Sequence, residues 1–256
     1  MKNRHKLGQH LLRDQNILNK IVEASNITKY DTVFEVGTGM GDLTEKLCLY
    51  AQKVISIEID KYFFELAQVK LRKYNNLELI QGNGFKINRH FDILVSNIPY
   101  SESRNFIEWL AYQEFKHSVV TVQKEFADKL LAQPGLDNYR AISIIAQDTF
   151  QIQKLFNINK KVFDPPPKVD STVLLFKRKK SETINPKVVS ALKTLFSFRR
   201  KIIASSLKII LKNDEEQFKR LTEILSQTIL QKRIELLTVE ETFRIANMLV
   251  KINNEK

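Results

Sequence analysis

With 256 residues, 43% of them hydrophobic and 27% charged, the chain can bury a substantial core, which excludes an intrinsically disordered protein. Its lone cysteine, Cys48, excludes a disulfide framework and a cysteine-based metal site, and no apolar run approaches the roughly 18 residues of a membrane span. The net charge is +12, and ten basic residues face a single acid, Glu182, between Arg178 and Lys212, a segregated positive field that suits a polyanionic partner.

In chain order, Ile17, Leu18, Ile21 and Val22 recur at helical spacing behind a possible cap, Asp14. Strands are predicted at Thr32–Val36, Val54–Ile59, Leu77–Ile80, Phe91–Ser96, Ser118–Val122, Phe150–Phe156 and Ser171–Phe176, most of them β-branched or aromatic runs. Helical periodicity separates them. This alternation predicts an α/β fold with a mainly parallel sheet and helices on both faces. After Lys180 the strand signal stops. Asn185-Pro186 opens a helix, and Val188, Val189, Leu192, Leu195, Phe196, Ile203, Leu207 and Ile210 follow at helical spacing. Further amphipathic stretches run from Phe218 to Leu237 and from Val239 to Ile252. A domain boundary is therefore expected at 179/180, with an α/β domain over 1–179 and a small basic helical domain over 180–256.

Three of the seven glycines, Gly37, Gly39 and Gly41, fall within five residues, directly after the first strand. A strand running into such a turn and then a helix is a place where a nucleoside cofactor can lie against bare main chain. The next strand ends at Glu58, an acid placed to hold ribose hydroxyls. That pair suits a nicotinamide dinucleotide and S-adenosylmethionine equally. The loop as written, Glu35-x-Gly37-x-Gly39-x-Gly41, resembles motif I of class I S-adenosylmethionine-dependent methyltransferases.

The fourth strand ends in Asn97-Ile98-Pro99-Tyr100. This tetrapeptide resembles the loop of methyltransferases that act on an exocyclic amine, in the variant used by rRNA adenine N6-methyltransferases. An adenine amino nitrogen is a weak nucleophile because its lone pair is delocalised into the ring. Accepting its hydrogens at the Asn97 side chain and at a backbone carbonyl, that of Ile98, draws it towards tetrahedral geometry. Pro99 fixes the backbone so that the acceptors converge, and Tyr100 offers a flat face to a base taken out of its stack.

Four further segments resemble the small-subunit rRNA adenine dimethyltransferases of the KsgA type and, in part, their Erm relatives. They are Leu7–Asp14 (LGQHLLRD), Gln123–Ala132 with Pro134-Gly135, Phe163–Ser171 (FDPPPKVDS), and Phe198-Arg199-Arg200-Lys201 with Ser206-Leu207-Lys208. The last favours the KsgA type over Erm. The resemblance implies a Rossmann-like seven-stranded methyltransferase sheet with a small C-terminal all-helical domain, and S-adenosylmethionine as cofactor. It assigns His10, Leu12, Gly37, Gly39, Glu58, Asn83 and Asn97 to the cofactor site, and Phe163 as a second aromatic face opposite Tyr100. Arg199, Arg200, Lys201 and Lys208 are assigned to RNA. The implied reaction is N6,N6-dimethylation of two adjacent adenines near the 3′ end of small-subunit rRNA, with the assembling subunit as partner. Three departures stand out: Gly82-Asn83-Gly84 where the family has Gly-Asp-Ala, Ser101–Arg104 after the tetrapeptide, and Tyr139 before Arg140 where a glycine is usual.

The rival readings are an Erm-type large-subunit methyltransferase and a non-catalytic assembly or transcription factor of the same fold. No metal is expected, because His5, His10, His90 and His117 have no ligand-like spacing. A monomer in a prokaryotic cytoplasm is the default expectation.

Overall fold

The computed structural model describes residues 10–179 and 183–254. Leu7–Gln9 of the opening motif and residues 180–182 at the expected boundary lie outside the described residues. The chain contributes to two compact units. One holds the described residues up to Ala127 and those from Phe150 to 179. The other holds Asp128–Thr149 and the described residues from 183 onward.

The first unit begins with β1 (Leu11–Leu12) and α1 (Gln15–Ala24), whose cap Asp14 accepts the N–H groups of Asn16 and Ile17 at 3.0 Å. Then come β2 (Thr32–Val36), α2 (Asp42–Tyr50), β3 (Lys53–Glu58), α3 (Lys61–Leu71) and β4 (Leu77–Gln81). β5 (Ile93–Asn97), α4 (Ser103–Leu110) and β6 (His117–Gln123) follow, and after α5 (Lys124–Leu130) and α6 (Ala141–Thr149) the unit resumes with β7 (Phe150–Ile158), β8 (Phe163–Asp164) and β9 (Ser171–Arg178). The seven longer strands form one sheet in the order β4-β3-β2-β5-β6-β9-β7. Pairing is parallel from β4 through β6, whereas β9 runs antiparallel to both β6 and β7. All seven predicted strands are present. The antiparallel edge went unforeseen, because hydrophobic patterning gives a strand's existence but not its direction.

Strand alternation sends two apolar sets to opposite faces. Val33, Val54, Ile93 and Val95 join Leu18, Ile21 and Val22 of α1 and Leu43 and Leu47 of α2 in one core. On the other face Phe34 stacks on Phe91 at 4.9 Å and on Trp109 of α4 at 5.8 Å between ring centroids, so helices do cover both faces. Phe34 is fully buried. Phe34→Ala should lower unfolding free energy by about 3–5 kcal/mol, measured as a shift of the urea midpoint at unchanged slope.

The second unit is helical, but it is not only C-terminal. α6 packs with α7 (Pro186–Ser197) and α11 (Val239–Asn254). Tyr139, fully buried, donates its hydroxyl to Leu237 O at 3.1 Å and meets Phe196 edge-on at 5.6 Å. The usual glycine is therefore replaced by a core ring. The expected 1–179 domain had included this segment, because α6 sits between two strands in sequence. Between α7 and α11 lie α8 (Ile203–Ile210), α9 (Glu215–Ile224) and α10 (Gln227–Gln231). The stretch expected to be helical from Phe218 to Leu237 is broken at Ser226, whose Oγ caps Ile229 N–H at 3.4 Å. Among the described residues, no helix is long and apolar enough to cross a membrane.

Candidate active site

The sheet reverses its strand order between β2 and β5, and the carboxyl ends of those two strands open a crevice of the kind where α/β folds bind ligands. The Gly-rich turn leaves β2 there. Its Gly37 and Thr38 amides both donate to Ile57 O of β3. Gly39 and Gly41 sit at φ +56° and +79°. A Cβ on Gly39 would lie 2.9 Å from Leu11 Cδ2, and one on Gly41 would lie 2.8 Å from Leu71 Cδ1. Both positions need left-handed backbone and no side chain.

Glu58, 2% exposed, holds this turn from the tip of β3. Its Oε2 accepts Gly39 N–H at 2.7 Å and its Oε1 accepts Asp60 N–H at 2.8 Å. Burial raises its carboxyl above the usual range, against the pull of those amides. The acid assigned to the ribose thus also shapes the loop, and each oxygen keeps further acceptor capacity.

Asn97 ends β5 facing the same cavity. Its Nδ2 donates to His10 O at 3.1 Å, which fixes the amide orientation, and its Oδ1 is buried with no hydrogen-bond partner. A buried acceptor left unpaired costs about 1–3 kcal/mol, so the site lacks one N–H donor. His10 donates from Nδ1 to Pro165 O at 2.7 Å and lies 5.2 Å from the Tyr100 ring centroid. Tyr100 Oη and Ser171 Oγ share a hydrogen bond of 2.6 Å.

Four acids line the cavity, Glu35, Asp42, Glu58 and Glu102, and no Lys or Arg does among the described residues. In a chain of net charge +12 this is a local reversal. An acid-lined cavity with no basic side chain of its own disfavours the pyrophosphate of a dinucleotide and favours a cationic ligand. The cavity therefore fits the sulfonium cofactor of the two candidates left open by the loop.

A family model described as Ribosomal RNA adenine dimethylase matches residues 1–251. The chain belongs to that dimethylase family. A ribosomal RNA small subunit methyltransferase A from Caldanaerobacter subterraneus is 36% identical, with 97% of this chain and 98% of the relative covered. A probable enzyme of the same name from Pyrococcus furiosus is 38% identical over 96% and 92% of the two chains. Among solved structures, a dimethyladenosine transferase from Plasmodium falciparum superposes with a TM-score of 0.79 at 30% identity, covering 96% of this chain and 98% of that one. The 23S rRNA methyltransferase ErmE shares the fold, with a TM-score of 0.65 at 21% identity.

Of the residues the dimethylase resemblance assigns, His10, Leu12, Gly37, Gly39, Glu58, Asn83, Asn97, Ile98, Pro99 and Tyr100 all line this one cavity. Asn83 Oδ1 accepts Phe85 N–H at 2.9 Å, so one lone pair is already used in capping the turn that follows β4. Ser101 and Glu102 continue a 3₁₀ turn from Tyr100 into α4, whose buried Ser103 stands at its start. Phe163 is not in the cavity. It is 3% exposed and belongs to the core of α1 and α2, because the short pairing of β8 with β1 opposes Phe163 to Leu12 and turns its ring inward. The second aromatic face expected opposite Tyr100 is therefore absent in this conformation. Of the four acids lining the cavity, sequence reasoning singled out only Glu58 and missed Glu35, Asp42 and Glu102. The signal for Glu35 was present, since it is the first residue of the glycine motif.

In the helical unit, Arg199, Arg200 and Lys201 occupy the break between α7 and α8 and share a surface hollow with Arg140. Arg200 and Lys201 are exposed. Arg199 is instead half withdrawn in an ion pair with Glu235 at 3.2 Å, so part of its role is internal. Lys208 lies outside that hollow, exposed, with Nζ 5.2 Å from the Phe218 ring centroid.

Proposed function

We propose that the chain transfers methyl groups from S-adenosylmethionine to the N6 amines of two adjacent adenines near the 3′ end of small-subunit rRNA, giving N6,N6-dimethyladenine during assembly of that subunit. The observation that carries this reading is the unpartnered Asn97 Oδ1, an acceptor at the strand tip of an otherwise acid-lined cofactor cavity. Relatives that cover nearly the whole chain bear the name ribosomal RNA small subunit methyltransferase A, one of them as probable, which supports the choice of RNA.

Bound S-adenosylmethionine supplies an electrophilic methyl group on a positively charged sulfur. Glu58 holds the glycine turn in its ligand-ready shape and retains acceptor capacity for ribose hydroxyls. Asn97 Oδ1 and the Ile98 carbonyl take the two amine hydrogens and direct the nitrogen lone pair at the methyl carbon. His10 O fixes the Asn97 amide so that nitrogen and oxygen cannot exchange places. Rate enhancement comes from positioning and fixed dipoles rather than from a strong base. Arg200, Lys201 and Lys208 add phosphate contacts, with a smaller share for Arg199.

The Tyr100 ring serves as the stacking face. Tyr100→Phe should keep methyl transfer within about threefold, since only the Ser171 bond is lost. Tyr100→Ala should lose about 10- to 100-fold, because stacking one base on an aromatic ring contributes about 1–3 kcal/mol.

The test is transfer of labelled methyl from S-adenosylmethionine to unmethylated small subunits, free small-subunit RNA and large-subunit RNA. Dimethyladenine at the small-subunit 3′ end is the expected product. Label confined to large-subunit RNA would indicate the Erm-type activity. Tight subunit binding with no label would indicate an assembly factor.

A further inference from the structure

Glu35 differs from the other acids of the cavity. It is 1% exposed, and its Oε2 accepts two hydroxyls, Thr44 Oγ1 and Ser56 Oγ, each at 2.6 Å. Ser56 Oγ in turn receives Thr38 Oγ1 at 2.6 Å, so two hydroxyls meet one carboxyl oxygen and a third supports one of them from behind. Burial pushes this carboxyl up to about 8, with the hydroxyl bonds opposing the rise and the nearby Glu58 charge adding to it. The donors an anion needs are already seated, so ionisation requires no rearrangement.

Among the described residues, no cation offsets the acid from its own surroundings. β3 presents Glu58 and, at its opposite end, Lys53, which is paired with Glu78 at 2.6 Å. α2 presents Cys48, whose thiol burial pushes up to about 12, together with Asp42 and Glu45, and both of these are paired with Lys70. Lys46 of α2 is at a half-buried position. β5 has no titratable side chain, and α1 faces this core with Leu18, Ile21 and Val22. A cation delivered by the ligand is thus what would turn Glu35 into a carboxylate.

We propose that Glu35 matches the charge of the cavity to that of its occupant, ionising when the sulfonium cofactor binds and staying protonated with the neutral thioether product, so that the site tells the two apart by one proton. The proposal rests on the S-adenosylmethionine reading above. The methionine ammonium and carboxylate are the same in both ligands and neutralise one another, so the sulfur charge is the difference that the comparison reads. On cofactor binding one proton passes from Glu35 to solvent. After transfer the methylated amine sheds its surplus proton, the sulfur is left uncharged, and Glu35 takes one proton back.

The test is calorimetric titration of the intact chain with S-adenosylmethionine and with S-adenosylhomocysteine, in buffers of different ionisation enthalpy. At pH 7 the cofactor should release most of one proton and the product close to none. Cofactor affinity should rise by up to about tenfold per pH unit below pH 8 and level off above it, while product affinity stays flat. Glu35→Gln should abolish the release and weaken the cofactor at pH 8.5 by about tenfold or more, leaving the product within about twofold. Thr44→Val removes one donor and should move the rise in cofactor affinity to higher pH; it decides the matter if Glu35→Gln does not fold. Equal proton counts for the two ligands, or release that survives Glu35→Gln, would overturn the proposal. Failure of both ligands to bind would overturn the cofactor reading and this proposal with it.

Discussion

Asn97→Ala should reduce methyl transfer by about 10²- to 10³-fold, the usual loss when a preorganised transition-state contact is deleted. Oδ1 has no partner until a donor arrives, so it contributes little to the empty protein and most to the complex in which an amine is bound. Single-turnover rates on small subunits should fall while circular dichroism and melting temperature stay near those of the parent. Asn97→Asp keeps an acceptor but sets a carboxylate against the His10 carbonyl that now receives Nδ2–H. It should retain more activity than alanine, with a loss of about tenfold. If both variants methylated at the parental rate, Asn97 would have no part in the chemistry.

Glu58→Ala should weaken cofactor binding by about 100-fold or more. The substitution leaves the Gly39 and Asp60 amides without acceptors in a nearly buried site, each at about 1–3 kcal/mol, and the turn relaxes to find water. Glu58→Gln should be milder, because one carbonyl oxygen can still serve Gly39. Affinity for S-adenosylhomocysteine should drop in parallel with that for S-adenosylmethionine, which separates this loop-shaping role from the charge matching assigned to Glu35. The check is direct calorimetry on both ligands, and an unchanged alanine variant would refute the role.

Much of this site could be read from the chain because it is built on strand tips. Glycine spacing, the acid ending β3 and the tetrapeptide ending β5 are local patterns, and a parallel sheet brings strand ends together without further instruction. What escaped was set by tertiary contacts. The family resemblance assigned Phe163 to the target base, yet a two-residue pairing with Leu12 directs it into the core. Such a pairing is too short to leave a pattern. Arg199 looked equivalent to Arg200 and Lys201, but Glu235, 36 positions away, claims it. The direction of β9 was likewise invisible, since buried strands read the same in either sense.

The placement of α6 bears on how the helical unit could be exchanged between relatives. Its hydrophobic centre is assembled from two separated stretches of gene, one coding for Asp128–Thr149 and one for the residues from 183 onward. A graft that moved only the C-terminal stretch would give Ile142, Ile144 and Ile145 of α6 and the ring of Tyr139 foreign neighbours. Modularity at the level of the chain is thus lower than modularity at the level of the fold. Substitutions in α6 and α11 are expected to be inherited together, so a chimera that respects this would carry both segments from one parent.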